Sequence, residues 1–518
     1  MITFRYTDKK FTDSIFHTVA IGRAYELLRH DLVQQLAEMQ KELHFRYCRC
    51  HGLFHEDMAV AIRKPDGTLG FQWHHMDKFI DNLLSVGLRP FFELGPMPYC
   101  MASDPKATIF HYEMNMSKPK DYSEWYALCR AFTSHCVDRY GLDEVRTWFF
   151  EVWNEPNLDG FWPHGMEEYY ILYTHAARAV KSVDDALQVG GPASAGGMFI
   201  PEMIDYCCKN DVPLDFVSTH VYPIGEYCQF PERKNSPHAL GGYMPTVVRE
   251  VYERVQHSPM PHLPIYWTEW NTQYGKPGEA VTWTHNPSVD MHFAASSVLK
   301  NVLETRDISD SMSYWTASDL FEEAGCPHSP FSCTYGLLTI HGVKKASYNA
   351  YKLLRKLRGR EMAADTMEGA PFGCDVCATE ENNVSRVLLY NWNALEIHDQ
   401  PDWADSVKIP VREDGEYLIT TAAIRKHRGS PYETWISMGS PHNLSPTQLE
   451  LLRAHGEMDY DFISCTSQDG YVTVPFALKP NEVLYMECEK KGDRIIPRAA
   501  SKEDLDRWNK IMTLEELK

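Results

Sequence analysis

Eight times between residues 17 and 357 a short β-branched or aromatic run gives way to an amphipathic helical stretch. Strand-like runs occupy 17–22, 44–52, 88–95, 145–150, 187–192, 214–222, 264–271 and 311–316. Helical periodicity fills 25–41, 76–86, 122–140, 166–181, 198–209, 244–256, 288–304 and 346–357, with Gly87 and Gly141 where two of these stop. Strands separated by helices cannot pair as hairpins, so they run parallel, and eight such units indicate an α/β fold of the (β/α)8 TIM-barrel type. Beyond residue 358 the texture changes to short alternating runs, such as 384–392, 417–421 and 471–474, between Gly, Asp and Pro clusters. These read as an accessory antiparallel β-sandwich, with Asp414-Gly415 and Asp469-Gly470 as hairpin turns. Residues 2–6 have no place in the barrel and are expected to join that sheet. The expected division is a catalytic barrel over 14–357, a sandwich from 1–13 plus 358–500, and a charged helical tail over 501–518. A helix over 445–455 should start with Ser445 as N-cap and Pro446 at its first position.

Composition narrows the partners. At 518 residues the chain exceeds one ordinary domain, and a net charge of −20 argues against nucleic acid and anionic membrane surfaces. No run of about 18 apolar residues occurs, and the first ten residues lack the apolar core of a signal peptide. A cytoplasmic protein acting on a small neutral ligand is the expectation, with a homo-oligomer compatible with it. The 14 cysteines are scattered, as in a protein that keeps them reduced. Cys374 and Cys377 form a lone CxxC with no second pair at zinc spacing.

Two strands end in glutamate. The run 145–150 leads into Glu151-Val152-Trp153-Asn154-Glu155-Pro156, where Pro156 cannot continue a ladder. The run 264–271 delivers Glu269 in the same way. These are strands four and seven, and the carboxyl ends of barrel strands share one face. A carboxyl against an apolar wall holds its proton and suits a general acid, provided a second carboxylate faces it. Carboxyl groups about 5–5.5 Å apart hydrolyse a glycoside with retention, and about 6.5–9.5 Å with inversion; sequence does not measure the gap. Asn154 offers an amide beside the scissile bond. Trp153, Phe161, Trp162, Tyr222, Trp270, Tyr274, Trp283 and Trp315 supply rings near strand ends, on which sugar C–H faces stack. About half of such rings should prove to be packing. Glu93 and Glu151 read as hydrogen-bonding groups of the barrel interior.

Three stretches carry a resemblance: Phe150 through Leu158, Arg46-Tyr47-Cys48-Arg49-Cys50-His51-Gly52, and Tyr314 through Glu323. They resemble glycoside hydrolase family 39, and within it the bacterial β-xylosidases, over about 17–357. The resemblance implies a retaining exo-glycosidase that needs no cofactor or metal, with Glu155 as acid/base and Glu269 as nucleophile. It further implies substrate contacts from Asn154 (the 2-hydroxyl), His51, His220, Tyr222, Tyr274, Trp315 and Glu323, with Glu322 against Glu323 left open. Cys50 departs from a usual glycine and is expected to add a side chain beside the pocket. Thr219-His220-Val221-Tyr222 also departs from the usual pattern. A β-xylosidase acting on xylo-oligosaccharides is the leading expectation. The alternatives are a relative acting on an arabinopyranoside, galactoside or α-L-iduronide, and a sugar-binding pseudoenzyme. The iduronide would need cations such as Arg233, Lys234 or Lys276.

Overall fold

A computed structural model describes residues 1–223, 243–272, 287–323, 325, 327–365, 367–393, 400–492, 503 and 506–507. Almost all of the expected tail over 501–518 lies outside them. Eight parallel strands close a barrel in sequence order: Thr18–Arg23, Tyr47–His51, Arg89–Leu94, Phe149–Val152, Gln188–Ala195, Phe216–Val221, Ile265–Trp270 and Ser311–Tyr314. The last pairs with the first through Tyr314 and Val19. Helices Tyr122–Tyr140 and Met166–Lys181 fall at the expected residues, the first capped by the Asp121 side chain on the Ser123 amide. Strand four begins later than the apolar run suggested. Leu142–Val145 forms a short helix instead, with acidic Asp143 and Glu144 in its first turn.

Alternation along the strands sorts the barrel interior into layers. Phe91, Phe149, Phe216 and Tyr266 form an aromatic floor, with ring centroids 4.9 Å apart for Phe91–Phe149 and 5.2 Å for Phe149–Tyr266. Gly190 is required beside it, since a Cβ there would lie 2.4 Å from the Phe216 carbonyl oxygen. Two residues further along the strands come Arg49, Glu93, Glu151, Ser218 and Thr268, all buried. This polar layer carries the pocket above it. Between strands six and seven the register shifts, with Thr219 opposite Trp267 but His220 opposite Glu269. The extra residue allows both Thr268 and Glu269 to reach inward.

The second unit is a nine-stranded sheet folded over its own core of Ile2, Phe4, Val407, Ile419, Val474 and Met486. Strand Ile2–Lys10 pairs antiparallel with Arg360–Ala364 and parallel with Trp403–Pro410, so the sandwich is antiparallel save at this join. One of the two expected hairpins is corrected and the other is short. Trp403–Pro410 pairs with Tyr471–Leu478, and Glu416–Ile424 with Asp459–Thr466, so Asp414-Gly415 connects strands that do not pair. Asp469-Gly470 closes a tight antiparallel turn in which Gln468 and Tyr471 exchange backbone hydrogen bonds at 2.8 and 3.1 Å, but the long strands on either side of it pair elsewhere. Asp414 instead accepts hydrogen bonds from Ser467 Oγ and the Gly470 amide, tying the two turns together. A true hairpin forms at Asn382-Asn383, both at positive φ, between Cys374–Glu381 and Val384–Asn391. Helix Pro446–Gly456 starts as expected, with a capping box between Ser445 and Gln448. Tyr390, Trp392, Ile424 and Tyr485 pack into the barrel's helical layer, and Trp392 Nε1 donates to Ser297 Oγ at 2.9 Å. The described cysteines are all free, and no helix among the described residues is long and apolar enough to cross a membrane.

Candidate active site

After Val152 the chain leaves strand four through two non-glycine residues at positive φ, Trp153 at 69° and Glu155 at 42°. Such conformations persist only where packing enforces them. Trp153 is buried, stacked edge-on against Trp162, and its Nε1 donates to the Phe161 carbonyl at 3.0 Å. The Glu155 amide donates to the Ala193 carbonyl at 2.9 Å. This anchoring turns Asn154 and Glu155 into a cavity of about 500 Å³ at the carboxyl ends of the barrel strands.

The centre of the site is Arg49, a residue that sequence reasoning quoted but gave no role. Fully buried, its guanidinium donates to Glu151 at 2.6 Å, Glu269 at 2.7 Å and Asn154 Oδ1 at 2.9 Å, and lies 2.9 Å from Glu93. Burial works against its charge, but Glu151, Glu93 and Glu269 outweigh that and raise its pKa. The signal was present: Arg49 stands two residues before His51, so both face the interior. The same parity corrects the expectation for Cys50. Cys48 and Cys50 point outward into the core between strands and helices, where burial raises their thiols, and neither lines the cavity. Because Arg49 occupies Asn154 Oδ1, the Asn154 amide nitrogen is left to donate into the cavity.

The two glutamates meet there. One oxygen of each, together with a His220 ring nitrogen, lies within 4.8 Å of the others. Tyr222 donates to Glu269 Oε2 at 2.8 Å, so both oxygens of Glu269 are held, one by Arg49 and one by Tyr222. His220 Nδ1 hydrogen-bonds Glu155 Oε1 at 2.9 Å. Burial, then the nearby Glu269 charge, raises Glu155 well above the usual carboxyl range. Burial, then Arg49 and His51, drops His220 well below the usual imidazole range and keeps it neutral. A carboxyl group with a raised pKa and one clamped by two donors thus face each other. Glu155, His220 and Glu269 are the group whose spacing could hold a metal ion among the described residues. Arg49 already supplies their positive charge, and a second cation would oppose it.

His51 completes the floor, its Nδ1 2.6 Å from Glu93 and its Nε2 3.4 Å from Glu269. Trp315 packs edge-on against His51 at 4.6 Å, and its carbonyl accepts from the Asn271 amide. The open choice between two neighbours resolves by geometry. Glu322 is ion-paired with Arg23 and with Arg29 at 3.1 Å, whereas Glu323 lines the cavity with its Oε1 3.7 Å from His51 Nε2. Burial, then Glu269, raises Glu323 well above the usual range. Of the expected rings, Phe161, Tyr222 and Trp315 line the cavity, while Trp153, Trp162 and Trp270 are packing. Tyr274 and Trp283, with Arg233, Lys234 and Lys276, lie outside the described residues. A second missed cluster supports the strand-eight loop. Buried Lys345 bridges Asp290 at 2.5 Å and Asp319 at 2.7 Å, and Asp319 accepts the Gly336 amide.

A closed (β/α)8 barrel with two glutamates meeting above strands four and seven defines a glycoside hydrolase, an enzyme with a carbohydrate substrate. The chain belongs to glycosyl hydrolases family 39, whose family model matches residues 2–473. It is 35% identical over 489 residues to a β-xylosidase of Caldicellulosiruptor saccharolyticus, covering 93% of this chain and 97% of that one. To a β-xylosidase of Geobacillus stearothermophilus it is 33% identical over 499 residues, covering 94% of each. Among solved structures, a monomeric β-xylosidase from Caulobacter crescentus CB15 superposes with a TM-score of 0.81 at 32% identity, over 95% of this chain and 99% of that one.

Proposed function

We propose that the chain is a retaining exo-β-xylosidase with Glu155 as acid/base and Glu269 as nucleophile. The observation that carries this is the buried carboxyl pair, with oxygens within 4.8 Å and unlike environments. Oxygens that approach this closely favour the roughly 5–5.5 Å of retaining enzymes over the ~6.5–9.5 Å of inverting ones. Glu269, aimed by Arg49 and Tyr222, attacks the anomeric carbon while Glu155 gives its proton to the departing oxygen. Water then attacks the glycosyl-enzyme, Glu155 takes its proton, and the C–O bond electrons return to Glu269. The Asn154 amide is placed for the 2-hydroxyl, and His51, His220, Tyr222 and Glu323 for the rest of the glycone. Tyr274 is retained as a further substrate contact on the family resemblance alone. Proton NMR of early products should show the β-anomer before mutarotation, and an initial α-product sinks the assignment.

Xylose is favoured by the closed floor. Trp315 and His51 wall one side of it, and a pocket tight at C5 admits a pentose and hinders glucose. Xylosides should therefore outpace glucosides, and xylohexaose should lose xylose singly, with xylopentaose as its first partner product. Early xylobiose and xylotriose without xylose would rule out exo-action. A neutral sugar also fits the lining, which carries three carboxyl groups and no Lys or Arg among the described residues.

The pH dependence follows from Glu155. Protonated Glu155 is the working acid, and its pKa is raised. Activity should hold below that value and fall as pH climbs through it. In Glu155→Gln, assayed with a dinitrophenyl xyloside that needs no acid, the alkaline limb should vanish. An unchanged limb would assign it to another group.

A further inference from the structure

The cavity changes character from floor to mouth. Its buried floor is polar, whereas one wall of its partly exposed mouth, opposite Tyr222 and Glu323 in character, is made by Ile109, Phe110, Leu158 and Phe161. None of these four side chains has a polar atom, so along this wall, among the described residues, the hydroxyls of a second sugar would find no side-chain partner. Phe110 and Phe161 meet edge-on at 65°, with centroids 5.8 Å apart, so together they make a cleft and not one shared flat face. The mouth is also pre-shaped. Phe110 is held at a φ of 64°, unusual for a bulky residue. The hairpin that carries it, Thr108–Ile109 with Met114–Asn115, is pinned on either side. His55 Nε2 bonds the Tyr112 carbonyl at 2.9 Å, and His111 Nδ1 lies 3.4 Å from the Glu323 carbonyl. Leu158 and Phe161 follow Glu155 on the same loop, which is the side from which an acid must reach the departing oxygen.

We propose that this mouth is a leaving-group site for apolar aglycones, making alkyl and aryl xylosides better substrates than xylo-oligosaccharides. The inference rests on the exo-xylosidase reading, which places the glycone on the floor and the aglycone outward.

Ethyl, butyl and hexyl β-D-xylopyranosides have leaving groups of similar basicity, so their kcat/KM values report contact with the alkyl chain. On the full-length enzyme kcat/KM should rise at least about tenfold from ethyl to hexyl, under a ceiling of roughly a few hundredfold for four fully buried methylenes. Hexyl xyloside should also exceed xylobiose. Phe110→Ala and Phe161→Ala should each cut the hexyl-to-ethyl ratio by about threefold or more. A flat series, or xylobiose ahead of hexyl xyloside while xylose is still released, overturns the apolar site and leaves the exo-xylosidase reading intact. A slope that survives both substitutions removes the site from these residues and overturns the proposal as well. No xylose from any of the substrates counts against the exo-xylosidase reading itself, and the proposal falls with it.

Discussion

Glu269→Ala should leave no detectable glycosyl-enzyme with any leaving group, while Glu155→Ala should still form it from dinitrophenyl xyloside. The asymmetry follows from what each carboxyl group does. Glu269 supplies the electron pair for the new bond, and no leaving group replaces that. Glu155 supplies only a proton, which a strongly acidic phenol does not need. On alkyl xylosides the loss at Glu155 should be roughly 10²–10⁴-fold, the usual worth of general acid catalysis. Without Glu155 to activate water, the intermediate should accumulate, and azide, which carries no proton to remove, should restore turnover as a β-xylosyl azide. Mass spectrometry of the trapped enzyme and the configuration of the azide product check both halves. Equal inactivity of both variants on every leaving group, with no azide rescue, would leave the two roles without support.

How much of this was legible in the chain depends on the kind of signal. The eight strands and most helices were read because their burial stamps a period on the sequence, as in Tyr122–Tyr140 and Met166–Lys181. Strand four slipped because Val145 is as apolar in a helical turn as in a strand, and only tertiary contacts decide. Asp414-Gly415 and Asp469-Gly470 do form turns, but turn chemistry does not tell which sheet the next strand joins. Glu155 and Glu269 could be found at strand ends, whereas Glu322 and Glu323 are adjacent and identical. Only Arg23 and Arg29, nearly 300 residues away in sequence, distinguish them. Arg49 and Lys345 were missed for the same reason. A buried cation is recognised by the carboxylates around it, and Arg49's come from strands three, four and seven.

That network makes Arg49 the most consequential residue outside the carboxyl pair. Arg49→Met would leave Glu93, Glu151 and Glu269 buried without their shared cation. Removing one partner of a buried ion pair costs about 3–5 kcal/mol, since the other charge remains desolvated. Chemical unfolding should show a loss of that order. Activity should fall further than stability explains, by about 10²–10³-fold or more in the folded protein, because Glu269 loses the guanidinium that aims one of its oxygens. Arg49→Lys should recover only part, since an ammonium cannot span four acceptors in the plane of a guanidinium. The decisive comparison adds Glu151→Gln to Arg49→Met. One fewer uncompensated carboxylate should return part of the lost stability, while activity stays low because Glu269 still lacks its guanidinium partner. Contacting residues in one network couple by more than about 0.5 kcal/mol. If the two substitutions instead add within that margin, or if Arg49→Met keeps its activity, Arg49 does not organise the site.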